Sequence, residues 1–198
     1  MARIQYYKPN PKGTGSACSF WCNAREGALF GSFIKQSGWN DKTKTGSFKA
    51  NKENPSASTQ FKFSQFEVAS IIDTIETNRP FSAYHQTSKK ITKFNFKPYV
   101  KGQEQVGFSY SVNTEEKEDS TSKGSFIIGL TYGEARLLKE YFLYSLASIF
   151  ASQDKEYAKE KATQEEPEDD DAQAAGKDPL APPTTPETKD ILDDEEGW

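Results

Sequence analysis

Strict alternation of apolar and polar residues predicts eight β-strands in this chain. In the first part of the chain, the alternating segments are Ser16–Arg25, Ala28–Gln36, Gly46–Ala50 and Thr59–Phe63. In the second part, they are Phe81–Thr87, Lys90–Tyr99, Gln105–Asn113 and Ser125–Leu130. Between them lie polar stretches, of which Ser37–Thr45 and Glu115–Lys123 are the longest, and these predict turns and loops.

A helix is predicted directly after each set of four strands. Ser64 and Glu67, and likewise Thr131 and Glu134, have the S/T-x-x-E spacing of a capping box. In this motif the Ser or Thr hydroxyl accepts a hydrogen bond from the backbone amide of the glutamate. The glutamate carboxylate in turn accepts one from the backbone amide of the Ser or Thr. Apolar residues follow at helical spacing. They are Val68, Ile71, Ile72 and Ile75 in the first helix, and Ala135, Leu138, Tyr141, Phe142, Leu146, Ile149 and Phe150 in the second.

The two strand–helix halves correspond at an offset of 67 residues, which superposes Phe61 on Ile128 and Ile71 on Leu138. The predicted fold class is therefore α+β, with two tandem β-β-β-β-α repeats at about 14–78 and 79–154. Each repeat would form an antiparallel sheet with its helix packed on one face. Residues 1–13 are assigned to an N-terminal arm. The alternative is an OB-fold, although two long amphipathic helices fit that small barrel less well.

Charge divides the chain into a basic body and an acidic tail. Residues 1–154 carry 20 Lys and Arg against 14 Asp and Glu, whereas residues 155–198 carry 5 against 15. The tail also contains five prolines among acidic and small residues, a composition that predicts a disordered segment. A basic body beside an acidic tail predicts a surface that binds a polyanion, with the tail as its competitor.

The remaining chemistry argues against an enzyme and against a metal or cofactor site. Cys18 and Cys22 would lie about 13 Å apart on one strand face, beyond the roughly 7 Å that a disulfide allows, so both are predicted to be buried core residues. His85 is the single histidine, and the chain has no P-loop, GxGxxG, HExxH or nucleophile-elbow motif. No apolar run reaches the roughly 20 residues of a membrane span, and a cytoplasmic location is expected.

Lysines interleaved with aromatic residues indicate a nucleic-acid-binding surface. Along Lys90–Tyr99, alternation places the lysines on one face and Phe94 and Phe96 on the other, in the core. Trp39, in a Gly/Asn/Asp loop, is the best single stacking candidate, because base stacking is worth about 1–3 kcal/mol per base. Phe20 and Trp21 are adjacent, so one of them must point away from the core. The candidate residues are Trp21, Lys35, Trp39, Lys42, Lys44, Lys49, Lys62, Lys89, Lys90, Lys93, Lys97 and Tyr99. The alternative is an ordinary solvated sheet face.

The end of the chain carries four acids before a terminal aromatic residue: Asp193, Asp194, Glu195 and Glu196, then Gly197 and Trp198. This tip resembles the acidic C-terminal tails of bacterial and bacteriophage single-stranded DNA-binding proteins. In that class the acids imitate a nucleic-acid backbone and the terminal aromatic docks into partners. The resemblance implies a partner-binding tip for replication and recombination proteins, and a bacteriophage protein in the host cytoplasm. The alternative is a solvated tail that only maintains solubility.

The order of elements across residues 14–153 resembles the Whirly and Pur-alpha class of nucleic-acid-binding domains. Together with the tip, this resemblance implies a protein that coats and protects single-stranded DNA during replication, recombination and repair. Two alternatives stay open, an RNA-binding protein of the same fold and a non-enzymatic recruitment adaptor. The apolar face of the second helix is interpreted as core, with a homo-oligomeric contact as the alternative.

Overall fold

A computed structural model of the chain describes residues 3–118 and 123–164. Residues 1–164 form one compact unit. Most of the predicted disordered tail, and the whole acidic tip with Asp193, Asp194, Glu195, Glu196 and Trp198, lie outside the described residues.

Ten strands and two helices make up the body. In chain order they are β1 (Arg3–Lys8), β2 (Ser16–Asn23), β3 (Ala28–Lys35), β4 (Gly38–Asn40), β5 (Thr45–Ser47), β6 (Ser58–Phe63), α1 (Gln65–Thr77), β7 (Phe81–Gln86), β8 (Lys90–Lys101), β9 (Glu104–Glu116), β10 (Lys123–Leu130) and α2 (Tyr132–Gln164). The first sheet has the strand order β1-β2-β3-β6, and the second has the order β10-β9-β8-β7. Strands β4 and β5 form a separate hairpin.

The architecture is α+β with antiparallel sheets and two helices, as the pattern predicted. Each large sheet has four strands and is followed by one helix. Two separate four-stranded sheets are incompatible with the OB-fold alternative, which is a single five-stranded, partly open barrel.

The predicted N-terminal arm is wrong, because Arg3–Lys8 forms an edge strand of the first sheet. It pairs with β2 from Arg3 opposite Trp21 to Lys8 opposite Ser16. Its alternation turns Tyr6 into the core, where the side chain is 5% exposed. This strand takes the place expected for Gly46–Ala50, whose residues instead enter the β4–β5 hairpin and a short 3-10 turn.

The predicted start of the tail at residue 155 is also wrong, since α2 continues to Gln164. The added segment contains Lys, Glu and Ala, which favour helices, and the first proline beyond it is Pro167. Its residues are exposed as far as the structure describes their side chains. The helix therefore runs past the region where it packs on the sheets.

One apolar core lies between the two sheets and the helices. Strand β10 of the second sheet contacts β2 and β3 of the first, while α1 contacts α2 and β8. At its centre the Phe20 ring lies 5.8 Å from that of Tyr110 and 5.4 Å from that of Phe142. Cys18 and Cys22 are buried and free, as expected of core residues.

Both capping boxes are present. The Ser64 amide donates to Glu67 Oε2 at 2.8 Å, and the Glu67 amide donates to Ser64 Oγ at 3.2 Å. Thr131 and Glu134 make the same pair of bonds, at 2.8 and 3.3 Å. These motifs fix where each helix begins.

Each capping glutamate also contacts a side chain from the first strand of the other sheet. Glu67 Oε1 lies 2.5 Å from Nε2 of His85 on β7, and Glu134 pairs with Lys8 on β1. Tertiary packing brings His85 to an acidic partner 18 residues away in the sequence. The two halves of the body are thus joined by a reciprocal pair of contacts.

Residues that pair across neighbouring strands form a row, and each row of the first sheet can be compared with a corresponding row of the second sheet. One inward row of the first sheet is Ile4, Phe20, Gly31 and Phe61, and its counterpart in the second is Phe81, Phe96, Tyr110 and Ile128. A Cβ on Gly31 would lie only 2.4 Å from the Phe61 ring. Gly31 therefore leaves space for the Phe61 ring. The second sheet carries Tyr110 at the position that corresponds to Gly31.

Candidate nucleic-acid interface

Each large sheet has one face turned away from the core. The first outer face consists of Arg3, Gln5, Tyr7, Ala17, Ser19, Trp21, Phe30, Ser32, Ile34, Ser58, Gln60 and Lys62. The second outer face consists of Ser82, Tyr84, Gln86, Ile91, Lys93, Asn95, Lys97, Tyr99, Ser109, Ser111, Asn113, Glu115, Lys123, Ser125, Ile127 and Gly129. Neither face is covered by a described helix, so both are candidate binding surfaces.

One row of the first outer face places two aromatic rings between two cations. Arg3 pairs with Trp21, Trp21 with Phe30, and Phe30 with Lys62. The Trp21 and Phe30 rings are nearly parallel, with centroids 5.6 Å apart and an interplanar angle of 13°. The Arg3 guanidinium carbon lies 4.7 Å from the Trp21 centroid. Phe20 is buried, and Trp21 is the member of that pair that faces outward.

The next two rows form a shallow trough of about 360 Å³. Its floor carries the Ser19 and Ser32 hydroxyls, which lie 2.8 Å apart in a mutual hydrogen bond. Arg3 lies at one end, and at the other the Tyr7 and Phe48 rings meet edge to face at 5.9 Å. The trough is lined by Arg3, Gln5, Tyr7, Ala17, Cys18, Ser19, Ser32, Phe33, Ile34, Phe48, Lys52, Ser58, Thr59 and Gln60.

The second outer face carries the predicted lysines. Lys93, Lys97 and Tyr99 lie on it, and Phe94 and Phe96 point into the core, as alternation predicted. Lys93 Nζ lies 6.0 Å from the Tyr84 ring centroid. Six of the other side chains on this face are Ser or Asn, and its aromatic residues are Tyr84 and Tyr99.

The tip of the β8–β9 hairpin extends this second face. Strand β7 pairs with β8 only as far as Phe96, and β10 pairs with β9 only as far as Phe108. Residues 97–107 therefore project past both neighbouring strands. Lys97 is exposed there, and Tyr99 is 48% exposed.

Lys90 and Lys35 do not reach either outer face. Lys90 Nζ donates to Thr59 Oγ1 at 2.7 Å and so bridges the two sheets. Burial lowers the pKa of Lys90, while the nearby Glu116 carboxylate acts in the opposite direction. Lys35 Nζ lies 5.2 Å from the ring centroid of Phe126, also between the sheets. Both were expected on the basic surface, but alternation within their strands turns them toward the other sheet.

The remaining predicted residues are spread over turns. Trp39 lies on β4 and donates from Nε1 to Asp41 Oδ1 at 3.1 Å, so the expected loop is partly a hairpin. Four predicted lysines are exposed outside the outer faces: Lys42, Lys44, Lys49 and Lys89. Of the candidate residues in the first half of the chain, Trp21 and Lys62 lie on the first outer face.

Several residues of the first outer face were missed by the sequence analysis. Arg3, Gln5 and Tyr7 alternate with Ile4 and Tyr6, which is the same signal that identified the other strands. The residues Phe30 and Gln60 also follow from alternation once their strands are placed. Because residues 1–13 were assigned to an arm, the outward-facing Arg3, Gln5 and Tyr7 of β1 were not predicted.

Other kinds of site find no support in the described ranges. Within residues 3–118 and 123–164, no cluster of His, Cys, Asp and Glu could hold a metal ion. No helix in the same ranges has the length and apolar character to cross a membrane.

Comparison with known proteins rests on structure alone, because no family model and no curated protein sequence matches the chain. The crystal structure of WHY1 from Arabidopsis thaliana has a TM-score of 0.56 and 14% identity, covering 83% of this chain and 93% of that one. WHY3 from the same plant gives 0.56 and 14%, covering 83% and 98%. The plant transcriptional regulator PBF-2 gives 0.54 and 14%, covering 85% and 98%. The body of this chain therefore has a Whirly-like fold, as the order of its elements predicted.

Proposed function

We propose that this chain binds single-stranded DNA on its two outer sheet faces, as a non-enzymatic protein of the cytoplasm. The row of Arg3, Trp21, Phe30 and Lys62 is the observation that carries the proposal. Sequence-tolerant binding of a single strand combines aromatic rings that stack on bases with cations that follow the phosphates. This row combines both on one solvent-facing surface.

The geometry favours an unpaired strand over a duplex. Stacking on Trp21 requires a base whose flat face is free, and bases in a duplex are stacked on each other. The aromatic residues lie on strands of a sheet and not on a helix that could enter a groove. The inner side of each helix is taken up by the core, for example by Ile71 and Leu138.

Titration with polynucleotides at several salt concentrations tests this proposal. We expect tighter binding to mixed-sequence single-stranded DNA than to duplex DNA of equal length, with a steep loss of affinity as salt rises. Equal or tighter binding to the duplex would contradict it. Tighter binding to single-stranded RNA would favour the RNA-binding alternative, which reads the 2′-hydroxyl. A recruitment adaptor would bind none of these.

The biological role that we propose is coating and protection of single-stranded DNA during replication, recombination and repair. The acidic tip would recruit partner proteins through Asp193–Glu196 and Trp198. The support is the charge division between a basic body and an acidic end, together with the resemblance of the tip. Removing Gly197 and Trp198 should abolish capture of replication or recombination proteins and leave DNA affinity unchanged, because only neutral side chains are lost. Unchanged capture would contradict a role for the tip.

A second copy of the chain is the partner that we propose for the outward side of α2. Of the apolar residues expected to be core, Leu138 and Phe142 are packed inside, whereas Phe150 is 49% exposed. The opposite side of the helix nevertheless exposes Leu137 and Tyr144, which are seven residues apart, by 57% and 61%. An exposed apolar patch of this kind marks an interaction surface. Light scattering of the chain and of a Tyr144→Lys variant tests it, since a self-associating chain should become monomeric.

A further inference from the structure

We infer that the trough on the first outer face holds one nucleobase and selects among bases at that position of the bound strand. The inference rests on the proposed function and adds base preference to it. Stacking alone is tolerant of sequence, because every base has a flat face. Preference requires hydrogen-bonding groups that meet the edge of a base.

The shape of the trough suits a small flat ligand. Its volume of about 360 Å³ lies at the lower end of the 300–1,000 Å³ range of small-molecule pockets. Small side chains at Ala17, Ser19 and Ser32 keep the floor low. Arg3 lines one end, and the aromatic pair of Tyr7 and Phe48 borders the other.

The floor offers hydrogen bonds of both kinds. Its central row reads Gln5, Ser19, Ser32 and Gln60. Gln5 Oε1 accepts from Tyr7 Oη at 3.2 Å, which orients the carboxamide and leaves its amino group available. Within the described ranges, the exposed Gln60 carboxamide makes no side-chain hydrogen bond. A carboxamide presents a donor and an acceptor side by side, the arrangement that pairs with a base edge.

The serine pair adds a further donor. One hydroxyl donates to the other across 2.8 Å, so one hydroxyl hydrogen of the pair is left for a ligand. Cations flank the row, since Arg3 and Lys52 both line the trough. They are placed to neutralise phosphates on either side of a base that enters it.

The second outer face provides an internal comparison. Its corresponding row reads Ser82, Asn95, Ser111 and Ile127. Ile127 is 62% exposed and stands where the first face has Gln60. An isoleucine offers no hydrogen bond to a base edge, so this row keeps one carboxamide, that of Asn95, where the first row has two. We therefore assign base preference to the first face and sequence-tolerant phosphate binding to the second.

Affinity for dA, dC and dT homopolymers of equal length tests the inference. For the full chain we expect the tightest and weakest of the three to differ by about fivefold or more, since a good side-chain contact to a base discriminates by at least about 1 kcal/mol. Gln60→Leu and Ser32→Ala should bring the three affinities within about twofold of each other. Ser111→Ala, the matched change on the second face, should leave the differences intact.

Failure of the base-preference inference and failure of the proposed function give different results. If the full chain binds all three homopolymers equally, the base pocket is refuted and the proposed function stands. If Gln60→Leu and Ser32→Ala weaken all three by the same factor, or leave the differences unchanged, the preference does not arise in the trough and the inference is overturned. If the chain binds no single strand at all, the proposed function itself fails. Circular dichroism of each variant verifies that it is folded.

Discussion

Replacing Tyr110 by phenylalanine should stabilise the folded protein. Tyr110 is 1% exposed, and its Oη makes no hydrogen bond within the part of the chain that the structure describes. The ring is held by aromatic neighbours, with centroids 4.9 Å from Phe33 and 6.0 Å from Phe96. The substitution keeps this ring and removes only the oxygen.

The magnitude follows from the burial of the hydroxyl. A buried polar group left without a partner costs about 1–3 kcal/mol. The small void left by the oxygen offsets part of that gain, since loss of contacts in a close-packed core is itself unfavourable. We expect the free energy of unfolding to rise by about 1–2 kcal/mol. For a chain of this size, each 1 kcal/mol raises Tm by roughly 2–4 °C.

Urea unfolding followed by circular dichroism measures the effect, and Tyr84→Phe is its matched control. Tyr84 is 53% exposed, and its hydroxyl donates to Gln86 Oε1 at the surface. This control should change stability by less than about 0.5 kcal/mol. A destabilised Tyr110→Phe variant beside an unchanged Tyr84→Phe variant would refute the reasoning, because it would mean that the Tyr110 hydroxyl is bonded in the folded state.

Alkaline pH gives a second readout of the same group. Burial, with smaller contributions from Cys18 and Glu67, raises the pKa of Tyr110 well above its ordinary value of about 10. Above that ordinary value, the unfolded chain loses the phenolic proton and the folded chain keeps it. Stability therefore falls as pH rises through 10, at up to about 1.4 kcal/mol per pH unit for each such group. Tyr110→Phe should make this decline shallower.

Three further predictions concern DNA binding. Trp21→Ala should weaken single-stranded DNA binding by about 1–3 kcal/mol. The loss should be larger than for Trp39→Ala, because the Trp39 indole is hydrogen-bonded to Asp41 outside the outer faces. A larger loss for Trp39→Ala in equilibrium titrations would contradict this prediction. Combined Lys93→Ala and Lys97→Ala should lower the slope of log affinity against log salt by about 1.4, since each phosphate contact on a single strand contributes about 0.7; an unaltered slope would remove them from the interface. Residues 165–198 carry 13 acids and 2 lysines, and deleting them should tighten DNA binding most at low salt. If the truncated and full chains bind DNA equally at every salt concentration, the tail is not a competitor.

Local patterns were sufficient for much of the fold and part of the interface. The capping boxes at Ser64 and Thr131 form as predicted, because their hydrogen bonds join residues only three apart. Alternation placed Lys93 and Lys97 outside and Phe94 inside, since successive side chains of a strand point to opposite faces.

Pairing between distant strands decided the rest. Period-2 alternation identifies a strand without saying which strand lies beside it. Only tertiary structure therefore placed β1 in the first sheet and brought Arg3 to Trp21. Alternation alone turns Lys90 inward, but only the tertiary structure places it beside Thr59 of the first sheet. The row from Arg3 to Lys62 joins four strands spread over 60 residues. Its order depends on long-range register, and no local window of the sequence contains that information.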